Sequence, residues 1–449
     1  MQEKIDALVE KGSRYLKDGQ FERAERAFKK AAALGAGASV VNNWAVSRFY
    51  RGDYEETLRI LEPNLASPMP NPFAHAVAAQ CLVELGRKDE ARVHLDRAIR
   101  DFDKGLHDPF IQTIFTRKAW GEYTVMIERA AGALGEHRLV LDLYRRWEQY
   151  HVLPEDRFLA GVAAFNLRRY RQAISHWRHL PMPDWEFIGD YVRVAGLLEE
   201  GIIPAFPLEY HPPGALSHGE KASIKSDEDA EQLAQLGTTR ILVLAQVFDE
   251  ESDERESAFK LRGLILLGGE WGVQLGRQLL SVASISRGLK GAIIHTLVEL
   301  GAYKEGEAIP ILEGGEMHEV KYRRTQVIDI LRSEWECRVR EVRRQREAGR
   351  IDEAIKVVSD LVNSEVFYPP AALVLATLLR MKGELDAAYD LLSTLEEMMP
   401  GHPVILFNIA ALWLQRGDKE RARSYASRID PSGQGQEFRE KLRELQSYL

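Results

Sequence analysis

The side chains best suited to chemistry are few, and their spacing decides how far they can be taken. His176 and His179, in SHWRHL, lie three apart, so a helix would put both imidazoles on one face, where they could hold a metal ion. No carboxylate or cysteine stands beside them in a HExxH arrangement, and no metal is expected there. His211 and His218 fall in a proline-rich stretch and read as solvated or capping groups. The pair Glu199–Glu200 reads as a solvated face. GxxxxGK[ST], GxGxxG and GxSxG are all absent, and Gly268–Gly269 before Glu270 and Trp271 offer a helix break without a phosphate cradle. No nucleophile stands with a base, so the expectation is no catalytic residue, no cofactor and no enzymatic activity.

Charge is the next signal. The run RVREVRRQREAGR, Arg338 to Arg350, admits two readings. In one it is a solvated helix laced by Glu336, Glu341 and Glu347 at i±3 and i±4. In the other, Arg343 and Arg346, with Arg380 one period later, line a positive groove for an acidic peptide. The formal net charge is −8; from Glu220 to Glu256 eleven acids face four bases, 4−11 = −7, which leaves the rest near balance. That argues against a nucleic-acid surface. MQEKIDALVEKG has no apolar run to suggest a signal peptide, and no stretch is apolar for long enough to suggest a membrane span. Cys81 and Cys337 are far apart in sequence; two cysteines could pair, but these read rather as buried or idle thiols of a reducing cytosol.

The elements that would carry these groups are set by a period. Gly349, Gly383 and Gly417 are spaced 383−349 = 34 and 417−383 = 34, and Ala354, Ala388 and Ala422 each follow a glycine by five. Ala376 and Ala410 precede the last two glycines by seven. Glycine ends a helix where positive φ is needed. Small residues on either side let a second helix return against the first, and Leu391, Leu392 and Leu395 fill the groove between hairpins. Such a hairpin cannot cover its own apolar face, so hairpins stack. Gly19, Gly52 and Gly86, spaced 33 and 34, repeat the scheme at the other end.

Gly12, Tyr15, Gly19, Ala24, Phe28 and Ala31 stand in the small–aromatic–glycine–alanine–aromatic–alanine order that resembles the tetratricopeptide repeat family. The resemblance implies helical hairpins whose first helices line a concave surface for extended peptides or helices of partner proteins. Carried over by position, one groove includes Ser13, Lys17, Asn42, Asn43, Val46 and Gln80. A second includes Arg343, Arg346, Thr377, Arg380, Asn408 and Gln415. Asn43 and Asn408 fall on the asparagine that grips a peptide main chain in the family's carboxylate-clamp members. Val9, Phe73 and Val77 stand where that clamp needs basic or polar groups, so a carboxy-terminal clamp is not expected.

The remaining segments divide the chain as follows. Residues 1–200 form a first array, with a degenerate unit between 106 and 153 around Gly135 and a long helix through Phe115 and Trp120. In the next unit Arg168 replaces the turn glycine, so a different turn is expected. Pro68, Pro70 and Pro72 are read as ending the second unit. Residues 201–219, rich in proline, are a linker or strap whose Ile202, Ile203, Phe206, Leu208 and Tyr210 pack on something. Residues 220–324 are a loosely HEAT-like helical insert, with a β-hairpin at 307–323 around Gly314–Gly315. Residues 325–449 are a second array, entered by a long helix from Thr325 and closed by an amphipathic last helix. The fold expected is all-α: superhelical helical-hairpin repeats in two arrays, with a helical insert and one small β-hairpin between. The function expected is a cytoplasmic scaffold or adaptor binding a protein or peptide, acidic for the arginine groove, with no nucleic acid and no membrane. The alternative is a ligand- or peptide-responsive regulator whose arrays close about the linker.

Overall fold

Gly19, Gly52, Gly86 and Gly135 have φ of 69°, 77°, 74° and 78°, and each turns one helix back on the next. In this computed structural model, which describes residues 1–114, 116–181, 185–213, 226–249, 251–322, 326–327, 336–362, 366–431 and 435–449, the turns join pairs of antiparallel helices. The pairs are α1 (Gln2–Lys17) with α2 (Phe21–Ala33), α3 (Ala38–Phe49) with α4 (Tyr54–Leu65), and α5 (Pro72–Glu84) with α6 (Lys88–His107). After a short α7 (Pro109–Ile114) come α8 (Arg117–Ala133) with α9 (His137–Arg146), and α10 (Pro154–Asn166) with α11 (Tyr170–Trp177). The hairpins are tetratricopeptide-like in detail. A Cβ on Gly12 would lie 2.7 Å from the Phe28 ring, and one on Gly161 would lie 2.1 Å from Trp177 Nε1. Phe28 and Trp177 are fully buried there, and burying an aromatic of this size contributes roughly 1.5–3 kcal/mol.

Three local expectations change. The long helix before Gly135 is two helices: Thr116 caps α8 by accepting from Ala119 N at 3.1 Å, and Phe115 lies outside the described residues. Pro72 opens α5 rather than ending the unit before it, because Asn71 caps that helix and a first-turn proline needs no N–H partner. At Arg168 the turn does not differ: φ is 58°, and Arg168 N and Arg169 N donate to Phe165 O and Ala164 O, both at 2.8 Å. Gly86 N and Arg87 N make the same bonds, to Val83 O and Leu82 O. The hairpin imposes left-handed backbone on a residue with a Cβ, at a cost of about 1–2 kcal/mol.

The chain divides into two compact units, Met1–Lys321 and Tyr322–Leu449. The first also contains α12 (Ile188–Glu199), α13 (Asp227–Gln235), α14 (Gly237–Val247), α15 (Glu254–Leu267), α16 (Gly269–Leu279) and α17 (Arg287–Glu299). The antiparallel hairpin of β1 (Ala308–Glu313) and β2 (Glu316–Lys321) follows. Gly314 and Gly315, at φ 60° and 86°, make its two-residue turn. Two strands alone are marginal in water. Ile309 and Ile311 are buried, Leu312 N donates to Leu280 O at 2.9 Å, and Lys290 Nζ donates to Leu312 O, so the hairpin is tied to its neighbours.

The second unit holds α18 (Glu336–Glu347), α19 (Ile351–Val362), α20 (Pro369–Lys382), α21 (Leu385–Met398), α22 (Pro403–Gln415), α23 (Lys419–Ser427) and α24 (Gln436–Ser447). Its entry differs from the expected long helix. Thr325 lies outside the described residues; Gln326–Val327 (β3) is extended and pairs in parallel with Val366–Phe367 (β4), and the next described element is α18. Gly349, Gly383 and Gly417 make the three turns with positive φ. Ala354, Ala388 and Ala422 are fully buried, as close approach of paired helices requires. Among the described residues no helix is long and apolar enough to cross a membrane.

A candidate peptide groove and the strap that crosses it

Residues 204–209 form neither helix nor strand, and Phe206, Leu208 and Tyr210 are buried in alternation with more exposed Pro207 and Glu209. That period of two is the side-chain pattern of a strand, yet no ladder satisfies this backbone. Side chains of the first unit do so instead. Asn166, at the end of α10, donates from Nδ2 to Leu208 O at 2.9 Å and accepts from Leu208 N at 2.7 Å. One amide thus holds both main-chain groups of one residue. Trp271 Nε1 donates to Pro204 O at 3.1 Å, and Gln278 Nε2 donates to Gly201 O.

The strap's side chains are held on two sides. Tyr210 lies over Gly132 of α8, where a Cβ would stand 2.3 Å from the ring. Its hydroxyl is 2.8 Å from His137 Nδ1, and the two rings stack. Burial raises the Tyr210 hydroxyl well above the usual phenol range and lowers His137 below the usual imidazole value. On the other side, a Cβ on Gly237 would meet Pro207 O at 2.0 Å. The Glu209 carboxylate accepts from Gly237 N at 2.8 Å, Thr238 N at 2.9 Å and Thr238 Oγ1 at 3.0 Å. It sits at the positive N-terminus of α14. Phe206 meets Phe165 and Trp271, and Arg240 lies 3.9 Å from the Trp271 ring centroid.

Beside the strap is a cavity of about 670 Å³. Its wall is made by the C-terminal ends of the first helices α3, α5, α8 and α10, with residues 207–211 opposite. Phe49, Tyr50 and Tyr54 give it an aromatic side; Gln80, Glu84, Arg129 and His211 give it a polar one. Burial raises the Glu84 carboxyl above its ordinary range. It also lowers His211, with Arg129 adding to the effect and Glu209 opposing it. Arg129 Nη1 is 3.4 Å from Tyr50 Oη, while its buried Nε makes no hydrogen bond.

Of the residues expected in the first groove, Gln80 lines this cavity; it is 8% exposed and donates to Met126 O at 3.3 Å. Asn42 is buried in a polar ladder between hairpins, donating to Asn71 Oδ1 at 3.1 Å and accepting from Asn64 Nδ2 at 2.7 Å. Asn43 is half-buried, with its carbonyl accepting from Ser47 Oγ, and Lys17 is exposed at the end of α1. Asn166, Arg129 and Tyr210 carry the groove's geometry and were not among the expected residues. Asn166 lies two positions before the turn residue Arg168, but its partner is 42 residues away.

In the second unit, α20 and α22 bring four expected residues together. Thr377 Oγ1 donates to Leu373 O at 2.8 Å and lies 3.3 Å from Asn408 Oδ1. Gln415 Nε2 reaches Arg380 O at 3.4 Å. Arg380 Nε is buried without a partner, and burial lowers that guanidinium below its ordinary value. Arg346 is exposed, and the Arg343 side chain lies outside the described residues. Arg344 pairs with Glu341 at 2.8 Å, as the laced-helix reading requires. Of the acidic 220–256 stretch, residues 226–249 and 251–256 are described; they form α13, α14 and the start of α15.

No protein-family model matches the sequence, and no curated protein matches it. Among solved structures the chain is similar to the P58(IPK) TPR domain at 13% identity, covering 99% of this chain and 98% of that one with a TM-score of 0.24. It is similar to yeast Tom70 at 13% identity, covering 100% and 77% with a TM-score of 0.23. The Cut9–Hcn1 hetero-tetramer of the APC/C is similar at 12% identity, covering 94% and 78% with a TM-score of 0.26. At these values the likeness adds nothing to the hairpin-repeat plan visible in the helices themselves.

Proposed function

We propose that this chain is a non-enzymatic cytoplasmic scaffold whose first-helix surfaces hold an extended segment of a partner protein. The observation that carries the reading is the grip of Asn166 on both main-chain groups of Leu208. The repeats already bind one extended segment, their own, by main-chain hydrogen bonds and alternate buried side chains. Recognition of a second such segment in the neighbouring cavity uses the same physics. The partner segment carries a carboxylate, because the buried Arg129 Nε lacks an acceptor there. In the second unit Arg380 offers the same unpaired donor, and Thr377, Asn408 and Gln415 lie beside it.

The test is a peptide array probed with the full chain and its Arg129→Gln and Arg380→Gln variants. Acidic extended peptides are expected to bind the wild type. Loss of one charged hydrogen bond, about 1.5–3 kcal/mol, weakens binding by roughly ten- to a hundredfold in one of the variants. Equal binding by all three proteins, or no preference for acidic peptides, contradicts the proposal.

A further inference from the structure

Three side chains that the groove does not use meet where the fourth and fifth hairpins join. Glu128 comes from α8, His151 from the turn that follows α9, and Asp156 from the first turn of α10. One ligand atom of each lies within 4.8 Å of the other two. His151 Nε2 is 3.3 Å from Glu128 Oε1 and 4.0 Å from Asp156 Oδ1. Both carboxylates are 0% exposed.

What sets the cluster apart is its missing hydrogen bonds. Both Glu128 oxygens, Asp156 Oδ2 and both His151 nitrogens are buried without a partner. Buried polar atoms are nearly always paired, and each one left unpaired is costly. Five of them converge here, on three side chains whose ligand atoms lie within 4.8 Å of one another. Only Asp156 Oδ1 is met, by Thr124 Oγ1 at 2.7 Å. Arg129 and Arg157 act on the cluster through space, and neither pairs with it among the ion pairs of the described residues.

Two neutralising agents are conceivable, protons or a cation. Burial pushes Glu128 well above its ordinary value, with Asp156 adding to it, and pushes Asp156 up to about 7; the same burial holds His151 down at about 4. A proton on each acid would satisfy one oxygen apiece and leave most of the converging lone pairs facing each other. A divalent ion satisfies one atom of each residue at once. Metal–ligand bonds of about 2.1 Å in tetrahedral geometry set neighbouring ligand atoms about 3.4 Å apart, close to the 3.3 Å and 4.0 Å separations here. The imidazole is also held in place: Tyr144 stacks on His151 at 4.5 Å and 14°, and His176 meets the far side of that assembly edge-on to Tyr144 at 5.3 Å. Thr124 orients Asp156 in the manner of an outer-shell partner.

We infer that Glu128, His151 and Asp156 bind a first-row divalent cation that pins α8 to α10 at the hairpin junction. One nitrogen and two carboxylate donors suit Zn²⁺ or Mn²⁺, and are too few oxygens for Ca²⁺. No short sequence motif announces the set, since its members lie 23 and 5 residues apart on three elements. Of the pair His176–His179, His179 Nδ1 bonds Ser175 O and His176 meets Tyr144 edge-on.

The experiment uses the full chain, stripped with chelator and titrated with Zn²⁺ and Mn²⁺ by calorimetry, with thermal unfolding followed in parallel. One equivalent of one of these ions is expected, with a rise in Tm on binding. In His151→Gln the affinity is expected to fall at least tenfold, whereas His179→Gln retains it. Substitution with Co²⁺ gives a visible spectrum that reports nitrogen and oxygen ligation without relying on any variant. Absence of stoichiometric uptake by the stripped wild type overturns the inference, as does undiminished uptake by a folded His151→Gln. If that variant does not fold, a Co²⁺ spectrum unperturbed by binding overturns it instead.

Discussion

The two units use one hairpin plan to different ends. In the first, the ends of the first helices meet an extended piece of the same chain, and small residues are placed to receive it: Gly132 under Tyr210 and Gly237 against Pro207. In the second, the corresponding surface is joined by its own polar side chains, Thr377 to Asn408 and Gln415 to the Arg380 carbonyl. The same inner wall can therefore be completed by an inserted segment or by bonds between neighbours. Substitutions that remove the inserted segment should cost much more than substitutions that remove the polar bonds.

The largest difference is expected from Tyr210→Ala. It removes a buried ring and its hydroxyl contact to His137, and truncation of a buried aromatic costs about 3–5 kcal/mol. Urea unfolding of the first unit should register it, with the second unit's transition unmoved. Next is a matched pair of asparagines. Asn166→Ala leaves both main-chain groups of Leu208 without their partner and should cost at least about 2 kcal/mol, because an unpaired buried group costs about 1 kcal/mol or more. Asn408→Ala removes one bond to Thr377 and one to Val404 O on an already continuous helix, and about 1 kcal/mol is expected. Equal losses would erase the contrast. A smaller effect of opposite sign is expected at Arg168, where glycine relieves left-handed strain; Arg168→Gly should stabilise by about 1 kcal/mol.

The smallest effect is the pH response, because opposing groups share it. His402 alone of the twelve histidines lies beyond residue 321. In the first unit burial, with His94 adding to it, lowers His75 to about 4, its Nδ1 lying 2.9 Å from that of His94; Arg97 and Arg100 act in the same direction and Asp101 against. A histidine held neutral by folding favours the fold above its ordinary value of about 6.5 and loses that contribution as pH falls toward 4. Asp190, raised above its ordinary value by burial, acts in the opposite sense. Denaturation midpoints at pH 7 and pH 5 should therefore show a modest loss in the first unit, reduced in His75→Gln. An identical loss in wild type and variant would assign the response elsewhere.

Most of the hairpins were legible in the sequence because each is a local object. Gly12 and Phe28 stand 16 residues apart and touch, and the period repeats the same contact in other units. The Gly314–Gly315 turn was legible for the same reason. The strap was legible only in part. Its alternating apolar residues said that it packs, but not where, because the receiving residues Gly132, Asn166, Gly237 and Trp271 lie up to 78 positions away along the chain. A glycine inside a helix with no turn to make was the available clue. Arg168 is not legible as a turn residue because glycine's conformational freedom favours the left-handed backbone without being required for it, and closure of the hairpin imposes the same backbone on arginine. The buried trio at Glu128, His151 and Asp156 left no local pattern at all.

The most direct measurement is amide hydrogen exchange at Leu208 in the intact chain. Its N–H donates to Asn166 Oδ1 at 2.7 Å inside a buried segment. Exchange slowed by orders of magnitude relative to a free peptide, and accelerated in Asn166→Ala, is the result expected if the repeats hold this segment. Exchange at the free-peptide rate in the wild type would contradict it.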